Sequence, residues 1–201
     1  MMQIYYESET LSLEIPREIA LHVSPEQFEA IAMVNRDLRL ERTSEGELIM
    51  NPPTGGESGK RNFSIIGQFG NWVEAHLELG EGFDSSTGFR LPNGANRSPD
   101  VSWVSRNRWE ILTEKQRKGF VPLCPDFVVE LRSESDRLSK LQAKMQEYMD
   151  NGARLGWLID PQNQQVEIYR KDRDIEVLVN PTHLSGEDVL PGFILDLNRI
   201  F

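Results

Sequence analysis

Cysteine is almost missing from this sequence: Cys124 stands alone. No disulfide can form within the chain, and a cysteine-based structural zinc site is excluded. Its neighbours Leu123 and Pro125 mark a packed thiol. Histidine is scarce too. His22, His76 and His183 sit in no motif that would activate a cysteine nucleophile. Long apolar runs are lacking, so no segment is long enough to cross a bilayer. The opening residues MMQIYYESETLSLEIP have neither the basic start nor the apolar run of a signal peptide. A cytoplasmic protein with no membrane partner is the expectation. Linker-like stretches, low-complexity segments and internal repeats are also absent. The 201 residues therefore read as one domain, 1–201, large enough to bury a substantial core.

Positive charge is short as well. The formal net charge is −10, which weighs against tight non-specific binding to nucleic acid, because phosphate neutralisation needs clustered lysine and arginine. The distribution softens that objection. Between Ser86 and Phe120, Arg90, Arg97, Arg106, Arg108, Lys115, Arg117 and Lys118 face only Asp100, Glu110 and Glu114. Each could be an ordinary solvated charge, and as a group they could line a phosphate-facing rim.

Patterning supplies the elements. Ser24-Pro25-Glu26 is a helix start, serine as N-cap and proline first in the helix, and Phe28, Ile31 and Met33 carry a short amphipathic helix to about Asn35. Leu38–Glu41 and Glu47–Asn51 flank a polar turn ending in Gly46 and predict a β-hairpin. After a break at Pro52–Gly56, apolar residues at Phe63, Ile66, Phe69, Trp72, Val73 and Leu77 recur at three and four, predicting a long helix from Glu57 to near Gly80. Thr54 to Arg61 superficially matches a phosphate-binding loop. Its first glycine is misplaced and Arg61 stands where Ser or Thr must reach Mg²⁺, so it is set aside.

A short strand is predicted around Gly88-Phe89-Arg90, a turn at Pro92-Asn93-Gly94 and a second strand over Val101–Val104. Phe127–Leu131 is the clearest strand, rich in β-branched residues. The helix after it is expected to be capped by Ser135 or Asp136, with Leu138, Leu141, Met145, Tyr148 and Met149 on one face and its end at Asn151-Gly152. Three further strands read as Leu155–Ile159, Gln165–Tyr169 and Ile175–Val179. This order predicts an α/β chain, at the border of α+β, with a mixed β-sheet flanked by helices.

Two Pro-Asp pairs, Pro99-Asp100 and Pro125-Asp126, each enter a strand, and the second strand carries Glu130 between Val129 and Leu131. A carboxylate buried in low dielectric costs several kcal/mol unless it is paired or bound to a cation. Glu130 therefore sits on an exposed face or has a cationic partner. Alternation puts Asp126, Val128, Glu130 and Arg132 on one face, and Phe127, Val129 and Leu131 on the other. Asp126 is about 13 Å along the strand from Glu130, too far to share an ion unaided. Asp100, on a neighbouring strand, is the natural partner. Together the two acids supply hard oxygen ligands suited to Mg²⁺ or Mn²⁺. A salt bridge from Glu130 to Arg132 or to the facing strand, and a turn role for Asp100 after proline, are the structural alternatives.

Four stretches also carry a resemblance. Ser98 to Val104, Cys124 to Ser133, Lys144 to Tyr148 and Gly152 to Pro161 together are similar to the Uma-two family of restriction endonucleases, over about residues 25 to 180. The resemblance implies a PD-(D/E)xK, restriction-endonuclease-like fold and Mg²⁺-dependent attack of water on a phosphodiester of DNA. Asp100 then matches the acid of the Pro-Asp element and Glu130 that of the Glu-x-Lys element, both as metal ligands and catalytic residues. The lysine of that element is Arg132 here, which cannot deprotonate to act as a base but could grip a phosphate. The resemblance includes a lysine in the following helix, making Lys144 the better candidate for the lysine role. A solvated helix lysine is the alternative. Glu57 resembles an additional acid that some nucleases of this fold place on the first helix, and is otherwise an acid favoured by a helix N-terminus. Asp126 is a supporting acid or simply opens its strand. A homodimer would supply two sites for a duplex. A catalytically inactive module with a nucleic-acid-binding or regulatory role is the competing reading, favoured by the acidic charge and by Arg132.

Overall fold

The computed structural model describes residues 20–201, so the reading of the first sixteen residues lies outside them. Ser24 caps α1 (Pro25–Val34) in a reciprocal capping box with Gln27, and Phe28 is the residue this helix buries. The hairpin of β1 (Arg39–Arg42) and β2 (Leu48–Asn51) pairs Leu40 with Met50, and its turn places Gly46 at φ 97°, a conformation cheap only for glycine. α2 (Gly56–Ala75) follows, burying Ile65, Phe69, Trp72 and Val73. It stops before the expected Gly80, and Phe63 and Leu77, expected on its buried face, are exposed.

The helix ends at Ala75 with His76 as its C-cap. Gly80 opens β3 (Gly80–Asp84), where a Cβ would lie 2.3 Å from the Val104 carbonyl oxygen, so this close approach needs glycine. Then come β4 (Phe89–Arg90), β5 (Asn96–Arg97), β6 (Val101–Ser105), and two short helices, α3 (Arg106–Glu110) and α4 (Glu114–Arg117). β7 (Phe127–Leu131) leads to α5 (Leu138–Asp150). The cap of α5 is Arg137, not Ser135 or Asp136: the Asp136 carboxylate instead accepts the N–H and hydroxyl of Ser133 and closes the preceding loop. β8 (Leu155–Asp160), β9 (Gln165–Arg170) and β10 (Glu176–Val179) complete the main sheet, and a small hairpin, β11 (His183–Ser185) with β12 (Ile194–Asp196), ends the chain.

The main sheet has six strands in the order β10-β9-β8-β7-β6-β3. Among the described residues only β7 and β8 pair in parallel within it, and α5 is their crossover. β7 is buried on both faces, which explains why its residues other than Glu130 are all apolar. On one face Phe127, Val129 and Leu131 pack with Trp157, Phe69 and Phe193, under α2 and the β11–β12 hairpin. On the other, Val128 packs with Met145 and Tyr148 of α5. Each such side chain contributes roughly 1.5–3 kcal/mol by leaving water. A second, four-stranded sheet in the order β2-β1-β5-β4 stands beside the first. The result is a mixed α/β fold with mixed sheets flanked by helices. Among the described residues no helix is long and apolar enough to cross a membrane.

Candidate active site

Glu130 faces α5, on the same side of β7 as Val128, as alternation requires. It is buried, so a partner is obligatory. Lys144 and Tyr148, four residues apart on α5, supply it: the Lys144 ammonium lies 2.8 Å from Glu130 Oε1, and the Tyr148 hydroxyl donates to the same oxygen at 3.0 Å. Asp100 comes from the adjacent strand. Its N–H donates to the Val129 carbonyl at 3.0 Å and its Oδ2 accepts the Leu131 N–H at 2.9 Å, so it brackets residue 130 through the backbone on either side. Asp100, Glu130 and Lys144 are thus brought together by β6, β7 and α5.

A third acid joins them. Glu41 of β1 is 3% exposed, and its Oε1 lies 2.9 Å from the Lys144 ammonium. Its other oxygen is 3.3 Å from Arg97, whose Nε donates to Glu147 of α5 at 2.5 Å. Arg39, two residues before Glu41, sits at the rim with one guanidinium nitrogen 3.9 Å from Asp100 Oδ1 and 3.2 Å from the Ser85 carbonyl. Neither Glu41 nor Arg39 was singled out by the sequence reading. The available signal was the one used for Glu130, a glutamate inside a predicted strand.

These acids carry unequal protons. Burial, then the charges of Asp100 and Glu41, push the Glu130 carboxyl up to about 7 against the pull of Lys144. Burial also raises Asp100, opposed by the Leu131 N–H, Lys144 and Arg39. Burial acts on Glu41 in the same direction, but Lys144, Arg97 and their hydrogen bonds outweigh it and hold that carboxyl below its ordinary value. For Lys144 burial opposes the charge, and Glu130 and Glu41 more than restore it, so the amine stays an ammonium. It is a charge and hydrogen-bond donor here, not a base.

Asp100 and Glu130 are the residues here that could hold a divalent cation. Glu41, Glu130 and Glu147 pair with the two buried cations Lys144 and Arg97, and Asp100 faces the rim guanidinium of Arg39. Each of the two acids spends one oxygen on the protein. The other, Asp100 Oδ1 or Glu130 Oε2, accepts no hydrogen bond from the described residues. Among those residues no three Asp, Glu, His or Cys side chains converge as a ready-made cage. Mg²⁺ does not need one, since it keeps several waters and is held by one or two carboxylates. The acids open on a cleft of about 580 Å³, walled by Arg39, Lys144 and the first turn of α2.

Other expected residues lie elsewhere. Glu57 is on the cleft wall, but its carboxylate is exposed, 3.3 Å from Lys60, and does not join the acidic pair. Arg132 binds Asp160 at 2.7 Å and the Asp136 carbonyl, so it neither pairs with Glu130 nor is free for a phosphate. Asp126 accepts the Ser105 N–H and pairs with Arg108 at 3.0 Å, opening its strand at the end away from Glu130. Cys124 is packed, and burial pushes its thiol up to about 12. Most of the basic stretch is also spoken for. Arg90 pairs with Glu29, Arg97 with Glu41 and Glu147, Arg106 with Glu81, Arg108 with Asp126 and Lys118 with Glu114, while Arg117 stacks on Trp109. Arg90, Arg97, Arg106 and Arg108 are thus paired with acids distant in sequence, Lys118 with one four residues away, while Arg117 and Lys115 have no acidic partner among the described residues.

A family profile described as Uma2, "Putative restriction endonuclease", matches residues 25–198. The chain belongs to the Uma2 family. Its fold is also that of a crystal structure described as a putative nuclease belonging to DUF820 from Anabaena variabilis. The two share 21% identity over 81% of this chain and 89% of that one, with a TM-score of 0.68. No curated protein matches. The fold of this Uma2 protein is therefore restriction-endonuclease-like, and its Pro-Asp, Glu and Lys set lies within the matched span.

Proposed function

We propose that this Uma2 protein is a Mg²⁺- or Mn²⁺-dependent endonuclease hydrolysing phosphodiester bonds of DNA. The observation that carries it is the Lys144 ammonium 2.8 Å from Glu130, beside an Asp100 that brackets the same strand position. Asp100 and Glu130 would hold the ion through their uncommitted oxygens. When bound, such an ion supplies Lewis acidity and a more acidic water. Lys144, kept cationic by two carboxylates, stabilises negative charge developing on the phosphoryl oxygens and orients the attacking water. Arg39, half-exposed at the rim beside Asp100, would meet a substrate phosphate. The family supports nucleic acid as substrate class, and a homodimer would bring two such sites to a duplex. A lone buried thiol suits a reducing cytoplasm.

The pairing of Arg90, Arg97, Arg106 and Arg108 with acids favours a second reading, a nuclease-fold module that binds or regulates without cutting. Incubation with circular and linear DNA, single-stranded DNA and RNA, with Mg²⁺ or Mn²⁺, separates the two. Cleavage of DNA that is lost in Asp100→Ala and on adding EDTA is expected. No cleavage of any nucleic acid would leave the module.

A further inference from the structure

Glu41 enters the catalytic reading so far only as a charge beside Lys144. It is buried, and it is paired with two buried cations, Lys144 and Arg97.

Its contacts show what it joins. Glu41 Oε1 accepts from the Lys144 ammonium at 2.9 Å and from the Ser98 N–H at 3.2 Å, two residues before Asp100. Through Oε2 and Arg97 it is tied to Glu147, on the same helix as Lys144. One carboxylate therefore connects the loop that delivers Asp100 with the helix that delivers Lys144. It also divides the ammonium. Lys144 spends hydrogen on Glu41 as well as on Glu130 Oε1, and Glu130 Oε2 is left uncommitted.

We propose that Glu41 is a positioning residue of the nuclease site: it holds Lys144 between two carboxylates and in register with the Asp100 loop, leaving Glu130 an oxygen for the cation. This deepens the nuclease reading and rests on it for the consequence in catalysis. The placement of Lys144 can be tested apart from activity.

The test records lysine ammonium groups of the ¹⁵N-labelled protein by NMR, with Lys144→Met identifying the Lys144 signal. The whole protein is expected to show a protected Lys144 ammonium, exchanging at least fivefold faster in Glu41→Gln and at an intermediate rate in Glu41→Asp. Should Glu41→Gln not fold, Glu41→Asp alone decides, with at least twofold faster exchange. An absent signal in the parent protein, or exchange unchanged in the variants, overturns the proposal. With DNA as substrate, Glu41→Gln is expected to lower kcat at least tenfold with KM within twofold, and Glu41→Asp to recover part of the loss. Unchanged kcat also overturns it. A parent protein that cuts nothing overturns the nuclease reading instead, and the ammonium signal then decides on Glu41.

Discussion

Glu130→Gln is expected to make the protein more stable while it destroys the site. Burial and two neighbouring acids raise the Glu130 carboxyl from 4.5 to about 7, so the folded protein holds that proton more tightly than the unfolded chain does. The stability this group contributes is complete below about pH 4.5 and is lost as pH rises to about 7, because ionisation in the folded state works against burial. At about 1.36 kcal/mol per pKa unit the loss amounts to about 3 kcal/mol by pH 8.5. Glutamine has the shape of the protonated acid and avoids it. Lys144 keeps Glu41 but loses its second carboxylate, which trims the gain to about 1–3 kcal/mol. For a chain of this size that raises Tm by about 2–10 °C. Thermal unfolding followed by circular dichroism in EDTA, at pH 5 and pH 8.5, measures it. Glu130→Gln should melt higher than the parent at pH 8.5 and close to it at pH 5. A variant less stable at pH 8.5, or a difference independent of pH, would refute the reasoning.

Other consequences can be measured on the same protein. Lys144→Met is expected to reduce DNA cleavage by about 10²–10³-fold, as loss of a preorganised charge-stabilising donor does, while the variant still binds Mn²⁺ by calorimetry. Mn²⁺ affinity is expected to fall about tenfold per pH unit below about pH 7, since the ion displaces the Glu130 proton; titrations from pH 5.5 to 8.5 check the slope. Arg132→Ala should cost about 1–2 kcal/mol of stability by removing the cation beside Asp160, which keeps its hydrogen bonds from Gln162 and Asn163, with kcat unchanged, as read by urea unfolding and a cleavage assay.

Much of the framework was legible because it is periodic. The apolar run of β7, the stripe of α5 and the serine cap of α1 each state their element locally. β3 was not legible. Its sequence Gly-Glu-Gly-Phe-Asp has no alternating apolar face, and its glycines answer to partners elsewhere: a Cβ on Gly82 would lie 2.8 Å from Phe69. The acidic pair could be read because a glutamate inside a buried strand and a Pro-Asp step entering another both need explanation. Lys144 could be nominated, but only the seating of α5 on the sheet turns its amine inward. Glu41 lies 103 residues from Lys144, and Glu29 lies 61 from Arg90. Pairings at such separations leave no local trace, so the contact of Glu41 with Lys144 and the pairing of Arg90 emerged only with the fold, although a glutamate inside a predicted strand was a local signal for Glu41 itself.

The central claim is that Asp100 and Glu130 hold one divalent ion with Lys144 beside it. Calorimetric titration of Mn²⁺ into the parent protein, Asp100→Asn and Glu130→Gln at pH 8 tests it most directly. The account requires one ion per chain in the parent and at least tenfold weaker binding in either variant. Equal binding in all three, or none in the parent, would contradict it.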